Sequence, residues 1–264
     1  MSDVILQAKN LRKEFGGLVA VADVSLDVQQ GSLHSIIGPN GAGKTTFFNL
    51  ISGKYRPTSG RVIFQGADIT DMPLYKRIHK GMGRSFQITN IFPNLTVLEN
   101  VRLAVQATSD KNFNFWRHSA YFDGFIERAA YVLGLVGLGQ QMHVPATSLP
   151  HGGKRKLELA MLLAPDPAIL LLDEPTAGMA SEQVPELIDT INAVRQQENK
   201  TIVMIEHNMN VVMGISDRIS VMNMGELLAE GTPEEITKNS VVQEVYLGQL
   251  YDDVDEMAAR GGQA

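Results

Sequence analysis

The segment from Gly38 to Thr45 has the residue types and the spacing of a loop that binds phosphate groups. It reads glycine, four residues, glycine, lysine and threonine, in the order Gly38-Pro39-Asn40-Gly41-Ala42-Gly43-Lys44-Thr45. Glycines let the backbone curl until several N–H groups point at one anion, and a helix that begins here presents its positive end to the same anion. Lys44 supplies a mobile charge for the β- and γ-phosphates, and Thr45 supplies a hydroxyl for Mg²⁺. We therefore expect residues 38–46, from Gly38 to Thr46, to hold the phosphates of a nucleotide.

A pair of carboxylates, Asp173 and Glu174, comes directly after the apolar run Ile169-Leu170-Leu171-Leu172. Open α/β sheets bind their ligands at the C-terminal ends of the strands, so both acids are expected at a ligand site. Asp173 can hold Mg²⁺, usually through water, and Glu174 can polarise a water for attack on the γ-phosphate as a general base. A solvated strand end is the alternative for such a pair taken alone. The upstream loop with Lys44 favours the catalytic interpretation.

The elements that must position these residues alternate between strand and helix patterns. Apolar runs predict strands at residues 4–8, 21–28, 32–37, 61–65, 168–172 and 201–205. Helical spacing of apolar residues predicts helices at residues 44–51, 99–106, 124–136, 154–163 and 182–197. A late hairpin is predicted around Met224-Gly225. Because strand, helix and strand follow one another between residues 168 and 205, we expect a βαβ unit in an α/β core.

The composition excludes several classes of site. The chain has 264 residues, of which 44% are hydrophobic, and it has no cysteine, so disulfides, thiolate zinc sites and cysteine nucleophiles are excluded. A net charge of −6 without a long basic run argues against a nucleic-acid partner. No uncharged apolar run approaches the roughly 18 residues of a membrane span, and the first residues match no targeting signal. We expect a soluble cytoplasmic chain, with residues 251–264 forming an acidic, solvated tail.

With these motifs in this order, residues 4–250 resemble the ATP-binding subunits of ABC transporters. The resemblance implies a P-loop NTPase fold of the ABC type, in which an α/β core carries an antiparallel β subdomain and an inserted helical subdomain. The ATPase domain is expected over residues 1–250 and the helical subdomain at about 90–165. The implied ligands are ATP and Mg²⁺, and the implied activity is ATP hydrolysis coupled to transport.

Three further residues match that family's pattern. Phe15 matches the aromatic residue that stacks on adenine, with a core phenylalanine on a hairpin as the alternative. Gln87, in Arg84-Ser85-Phe86-Gln87, matches the glutamine that reaches Mg²⁺ and water and that responds to the membrane subunit. His207 matches the histidine that senses the γ-phosphate. We interpret His34, in the middle of a predicted strand, as structural.

The family's signature segment is leucine-serine-glycine-glycine-glutamine, and here the matching stretch is Leu149-Pro150-His151-Gly152-Gly153. Gly152 and Gly153 still keep backbone N–H groups available at a helix N-terminus, which favours an anion. Pro150 removes the serine hydroxyl, and Ser148 could replace it only if the loop were rearranged. Ala180 stands where the family has an aspartate. These departures concern the strength of the nucleotide-driven dimer, which a lost hydrogen bond to a charged group would weaken by roughly 1.5–3 kcal/mol.

The resemblance also implies partners. In this family the signature of one subunit covers the nucleotide held by another, so two ATP molecules are expected between two ATPase subunits, in a homodimer or with a sister chain. Integral membrane permease subunits are the expected direct partners, and a substrate-binding protein is an indirect one. The expected location is peripheral, at the cytoplasmic face of the inner membrane.

The C-terminal runs narrow the branch of the family. Residues 230–236 and Val245-Tyr246-Leu247-Gly248 are similar to the ATPases of branched-chain amino acid importers, and the insertion at 109–120 is similar to the longer ATPase of that system. Urea importers and the lipopolysaccharide exporter share the C-terminal run and remain alternatives. A hydrolysis-poor regulatory module is favoured by Pro150 and Ala180 and opposed by Glu174 and His207. An ABC-type ATPase acting on DNA or ribosomes and a P-loop kinase are further alternatives.

Overall fold

The computed structural model describes residues 3–85, 91–107 and 120–245. Gln87, residues 109–119 of the predicted insertion and the predicted tail at 251–264 lie outside these ranges. The described residues form two compact units, the first within residues 1–71 and 205–264 and the second within residues 72–204. The expected boundaries of the helical subdomain, at about 90 and 165, stay a prediction.

The elements are numbered in chain order. The strands are β1 (Val4–Phe15), β2 (Leu18–Gln29), β3 (Leu33–Ile37), β4 (Ser59–Phe64), β5 (Ala67–Asp68), β6 (Met82–Arg84), β7 (Ile169–Asp173), β8 (Thr201–Ile205), β9 (Arg218–Asn223) and β10 (Glu226–Gly231). The helices are α1 (Lys44–Ser52), α2 (Leu74–Ile78), α3 (Val97–Ala107), α4 (Ala120–Leu135), α5 (His151–Leu163), α6 (Val184–Gln197), α7 (Met209–Ile215) and α8 (Pro233–Lys238).

The first unit contains an antiparallel sheet in the order β2-β1-β4-β5. Strand β1 pairs with β2 at Leu6↔Val28 and Ala8↔Leu26, and these four side chains are buried. Their alternation with more exposed neighbours is the pattern of a sheet with one face in a core. This sheet is the predicted antiparallel β part of the fold.

The same unit holds β3 beside β9, with β10 on the other side of β9. Strands β3 and β9 are parallel, with Ile36 opposite Ser220, whereas β9 and β10 form the predicted antiparallel hairpin. All five residues of β3 are buried, as expected for a strand covered on both faces. Because β3 ends at Ile37 and α1 begins at Lys44, the phosphate-loop segment connects a buried strand to a helix.

The second unit places β7 between β6 and β8. Strands β6 and β7 are parallel, with Gly83 opposite Leu170, and all residues of β7 are buried. Helix α6 connects β7 to β8, in the predicted strand–helix–strand order. Helices α3, α4 and α5 pack together in this unit, where the sequence predicted helices. Across the described ranges, every helix is too short or too polar to span a lipid bilayer.

Candidate functional site

The phosphate loop is a tight backbone turn that only glycine can complete at Gly43. Gly43 has φ 92°, and a Cβ atom there would lie 2.4 Å from the carbonyl oxygen of Ala20. The Lys44 ammonium donates hydrogen bonds to the carbonyl oxygens of Gly38, at 2.6 Å, and Pro39, at 2.8 Å. The lysine charge is therefore placed directly against the loop.

Helix α1 begins at this loop without a side-chain cap. Gly43 is its N-cap, and no acidic residue occupies its first turn, which contains Lys44, Thr45 and Thr46. The first N–H groups of an α-helix have no partner within the helix, so they are available to an anion together with the positive end of the helix dipole. Thr45 is exposed beside them. Backbone donors, an ammonium group and a hydroxyl together can hold the phosphates of a nucleotide.

Phe15 lies at the end of β1 with 44% of its surface exposed. Its ring packs edge-on against Tyr55, with 5.5 Å between the ring centroids, and the Lys13 ammonium lies 5.1 Å from the Phe15 centroid. The exposed ring can stack on a planar base. This location differs from that of a core phenylalanine, while the adenine contact itself stays a prediction.

His207 follows β8, and a neighbouring carboxylate holds its backbone in place. The Glu206 carboxylate is fully buried and accepts hydrogen bonds from the N–H groups of His207, at 2.9 Å, and Asn208, at 3.2 Å. Asn208 in turn caps α7, because its side chain accepts from the N–H groups of Asn210 and Val211. The His207 side chain is 65% exposed. These hydrogen bonds hold the backbone of His207 in place, while its imidazole stays accessible to a ligand.

Asp173 ends β7 and is held by Arg84, the last residue of β6, and by Ser85, which follows it. Its side chain is buried, and its Oδ2 lies 3.7 Å from Arg84 Nη2. Its N–H donates to Ser85 Oγ at 2.9 Å, while the Ser85 N–H donates to the Leu171 carbonyl at 2.8 Å. A carboxylate oriented in this way supplies the hard oxygen ligands that Mg²⁺ prefers. The sequence patterns did not single out Arg84 or Ser85 for this role.

Glu174 begins a turn in an unusual backbone conformation. It has φ 48°, and its carbonyl accepts the Ala177 N–H at 3.0 Å. A left-handed conformation is disfavoured for residues other than glycine, and such residues are frequent at functional sites. The half-buried Glu174 side chain stands next to the buried Asp173, so the strand end carries two acids in different surroundings.

The signature segment also begins a helix as predicted. Helix α5 starts at His151 after Pro150, which provides no side-chain cap, and its first turn has no acidic residue. Gly152 and Gly153 therefore contribute N–H groups of a first helical turn. A Cβ at Gly152 would lie 3.4 Å from Gln183 Oε1. Ser148 belongs to a short 3-10 turn, Ala146–Ser148, before the helix, so it does not occupy the helix start.

The predicted site residues fall into two groups. Phe15, residues 38–46 and His207 belong to the first unit, and Asp173, Glu174, Gly152 and Gly153 belong to the second. Gln87 lies outside the described residues. Besides Arg84 and Ser85, the residue that sequence reasoning missed is Glu206, which holds the backbone of His207. Its only signal was its place beside that histidine.

Comparison with known proteins gives two family matches. The model of the ABC transporter family matches residues 21–177. That of the branched-chain amino acid ATP-binding cassette transporter matches residues 226–251. The high-affinity branched-chain amino acid transport ATP-binding protein LivG of Salmonella typhimurium is 40% identical over 254 residues, which cover 94% of this chain and 100% of that protein. The corresponding protein BraF of Pseudomonas aeruginosa is 40% identical over the same shares of each chain.

Solved structures agree with these matches. The ADP conformation of MJ1267, an ATP-binding cassette of an ABC transporter, has a TM-score of 0.82 and 29% identity, covering 94% of this chain and 100% of that one. A dimeric post-hydrolysis state of the cassette MJ0796, bound to ADP and Pi, has a TM-score of 0.72 and 27% identity, covering 87% and 99%.

Proposed function

Because this chain belongs to the ABC transporter family as an ATP-binding ATPase subunit, we propose that it powers the import of branched-chain or related amino acids through a membrane permease. The observation that carries the proposal is the similarity along 94% of the chain to LivG, a branched-chain amino acid transport protein, together with the matching C-terminal segment.

In this proposal the phosphate loop binds ATP. The first-turn N–H groups of α1 and the Lys44 ammonium neutralise the charge of the β- and γ-phosphates. Thr45 and Asp173 supply oxygen ligands for Mg²⁺, and Gln87 is the third proposed ligand. The exposed hydroxyl and the oriented carboxylate suit a hard cation, which usually takes one or two protein carboxylates beside phosphate oxygens and waters. When bound, Mg²⁺ supplies charge neutralisation at the phosphate oxygens.

Glu174 is the proposed general base. Its position directly after a fully buried strand holds its backbone, and its half-buried side chain keeps access to water. It accepts the proton of the attacking water, while His207 donates a hydrogen bond to the γ-phosphate from a backbone held by Glu206. Phe15 is the proposed stacking partner of adenine.

Two such subunits are proposed to enclose two ATP molecules, with Gly152 and Gly153 of each subunit acting on the nucleotide of the other. The available N–H groups at the start of α5 support this arrangement, and MJ0796 is described as a dimer with ADP and Pi. The dimer would bind permease subunits at the cytoplasmic face of the membrane. Pro150 and Ala180 favour a second candidate, a regulatory module with poor hydrolysis, which turnover with and without the permease separates.

The test is a Glu174→Gln variant of the chain purified with its permease subunits and reconstituted into vesicles. We expect Mg-ATP binding to be kept, while ATP turnover falls at least about a hundredfold, and leucine uptake falls with it. Glu127→Gln, at an exposed acid of α4, is the matched control and should keep both activities. Near wild-type ATP turnover by Glu174→Gln would contradict the assignment of Glu174 as the general base. ATP turnover of the wild-type complex that does not respond to leucine-type substrates would contradict the import function.

A further inference from the structure

The turn between β9 and β10 contacts the phosphate loop through its backbone. Gly225, in this turn, donates its N–H to the carbonyl of Ala42 at 3.0 Å. The Gly225 carbonyl accepts the Ala22 N–H of β2 at 2.8 Å. Gly225 thus connects the phosphate loop to β2, although it belongs to no phosphate-binding motif.

The bond to Ala42 determines how the next amide is oriented. In a planar trans peptide the C=O and the following N–H point in opposite directions. Because the Ala42 carbonyl points at Gly225, the Gly43 N–H points away from the turn. The Ala42 N–H is held by the Pro39 carbonyl at 3.2 Å, and the Gly43 carbonyl accepts the Phe47 N–H at 2.8 Å. The Gly225–Ala42 bond therefore sets the direction of the Gly43 N–H, a candidate phosphate donor, and the peptides on both sides are held by backbone hydrogen bonds of their own.

This contact favours a residue without a side chain in the turn. Gly225 has φ 84°, and a Cβ there would lie 3.1 Å from the Ala20 carbonyl oxygen and 3.5 Å from Val21 Cα. From the loop side, a Cβ on Gly43 would lie 3.3 Å from Gly225 Cα. The neighbouring Met224, at φ 47°, leaves 84% of its surface exposed. The turn therefore contacts the loop and β2 through its backbone atoms and not through its side chains.

The segment after this turn packs against the residue that precedes the phosphate loop. Strand β10 leads to α8, where Thr232 and Glu235 form a reciprocal capping box. Ile236 of α8 belongs to a buried cluster with Ile37, the residue before the phosphate loop, and Val212 of α7. These contacts hold the described part of the C-terminal segment, residues 226–245, against Ile37 and α7.

We infer that Gly225 is a positioning residue that orients the Ala42–Gly43 peptide for nucleotide phosphates, so that the C-terminal segment sets the affinity of the loop. This inference rests on the proposed function, because it requires nucleotide to bind at the loop. Gly225 directly precedes the segment matched by the branched-chain cassette model, of which the structure describes residues 226–245.

The test compares Gly225→Ala with Gly66→Ala in the full chain. Gly66 has φ 76° in the same unit, but a Cβ there would meet nothing within 4 Å. Both variants share the backbone strain of a side chain at positive φ, and only Gly225→Ala brings a Cβ against the backbone of β2 and so shifts the turn that holds the Ala42 carbonyl. We expect the dissociation constants of ATP and ADP to rise about tenfold for Gly225→Ala and to stay within about twofold for Gly66→Ala. In the permease complex, KM for ATP should rise with little change in kcat, as when binding shared by ground and transition states is lost.

Asn tolerates left-handed φ better than alanine does, so Gly225→Asn relieves strain but keeps the close approach to Ala20. It should fold and still weaken ADP binding, whereas Gly66→Asn should not. Wild-type affinity in folded Gly225 variants, or equal weakening in the Gly66 variants, overturns the inference while leaving the proposed function intact. A wild-type chain that binds no Mg-ATP overturns the proposed function itself.

Discussion

Replacing Ser85 with alanine removes the acceptor that holds the backbone of Asp173. The Ser85 Oγ accepts the Asp173 N–H at 2.9 Å, and Asp173 is only 5% exposed. Water therefore has little access to this amide, and a buried donor left without its partner costs about 1–3 kcal/mol. We expect Ser85→Ala to lower the free energy of unfolding by about 2 kcal/mol, as measured by urea denaturation of the purified chain.

Ser25 provides a control with the same chemistry. Its Oγ accepts the Asn10 N–H, also at 2.9 Å, but at an exposed position. Water can replace the hydroxyl there, so Ser25→Ala should change the free energy of unfolding by less than about 0.5 kcal/mol. The comparison isolates burial, because bond type and distance are the same in both pairs.

The same substitution has a catalytic readout. Ser85 orients the backbone that carries the proposed Mg²⁺ ligand Asp173, so Ser85→Ala should raise the Mg²⁺ concentration required for half-maximal ATP turnover, whereas Ser25→Ala should not. Equal losses of stability in the two variants would refute the burial argument. A destabilised Ser85→Ala with unchanged Mg²⁺ dependence would show that Ser85 supports the fold and not the metal ligand.

Two further predictions concern a buried histidine and the dimer. Burial, and then the charge of Arg218, lower the pKa of His34 to about 4 from 6.5, so unfolding binds a proton between these values. The free energy of unfolding should fall as the pH drops through this window, by about 2 kcal/mol at pH 5. His34→Gln should flatten that part of a urea-denaturation profile, and an unchanged slope would contradict it. Because the chain has no native cysteine, cysteines at Gly41 and Gly152 should crosslink between subunits only with ATP, and ATP-independent or absent crosslinking in the permease complex counts against the sandwich.

The strand–loop–helix around the phosphate loop could be predicted from the sequence because its signals are local. The expected helix at residues 44–51 is observed as Lys44–Ser52, and the expected strand at 168–172 as Ile169–Asp173. A glycine pattern followed by helical spacing, and a short apolar run followed by acids, each lie within about ten residues. The resemblance to a known family then supplied the expected roles of Phe15, Gln87 and His207, which no local pattern indicated.

The contacts that hold these residues could not be predicted in the same way. Strand β6 has three residues, too few for a hydrophobic pattern, and it was missed. Ser85 meets Asp173 only because β6 pairs with β7, across 88 residues of sequence. Gly225, in the turn of a hairpin far along the chain, donates its N–H to the Ala42 carbonyl. In each case a group far along the chain, the Ser85 hydroxyl or the Gly225 N–H, binds the backbone of a motif residue, and no local sequence pattern records such a bond.

Backbone conformation places the two adjacent acids, Asp173 and Glu174, in different surroundings. Successive side chains of a strand point to opposite faces, yet β7 ends at Asp173 and Glu174 already turns to φ 48°. Asp173 stays buried beside Arg84, with its N–H held by Ser85, which suits its proposed role as a metal ligand. Glu174 leaves the strand with a half-buried side chain, which suits its proposed role as the base that takes a proton from water. One change of backbone conformation between neighbouring residues thus gives the two proposed roles different surroundings.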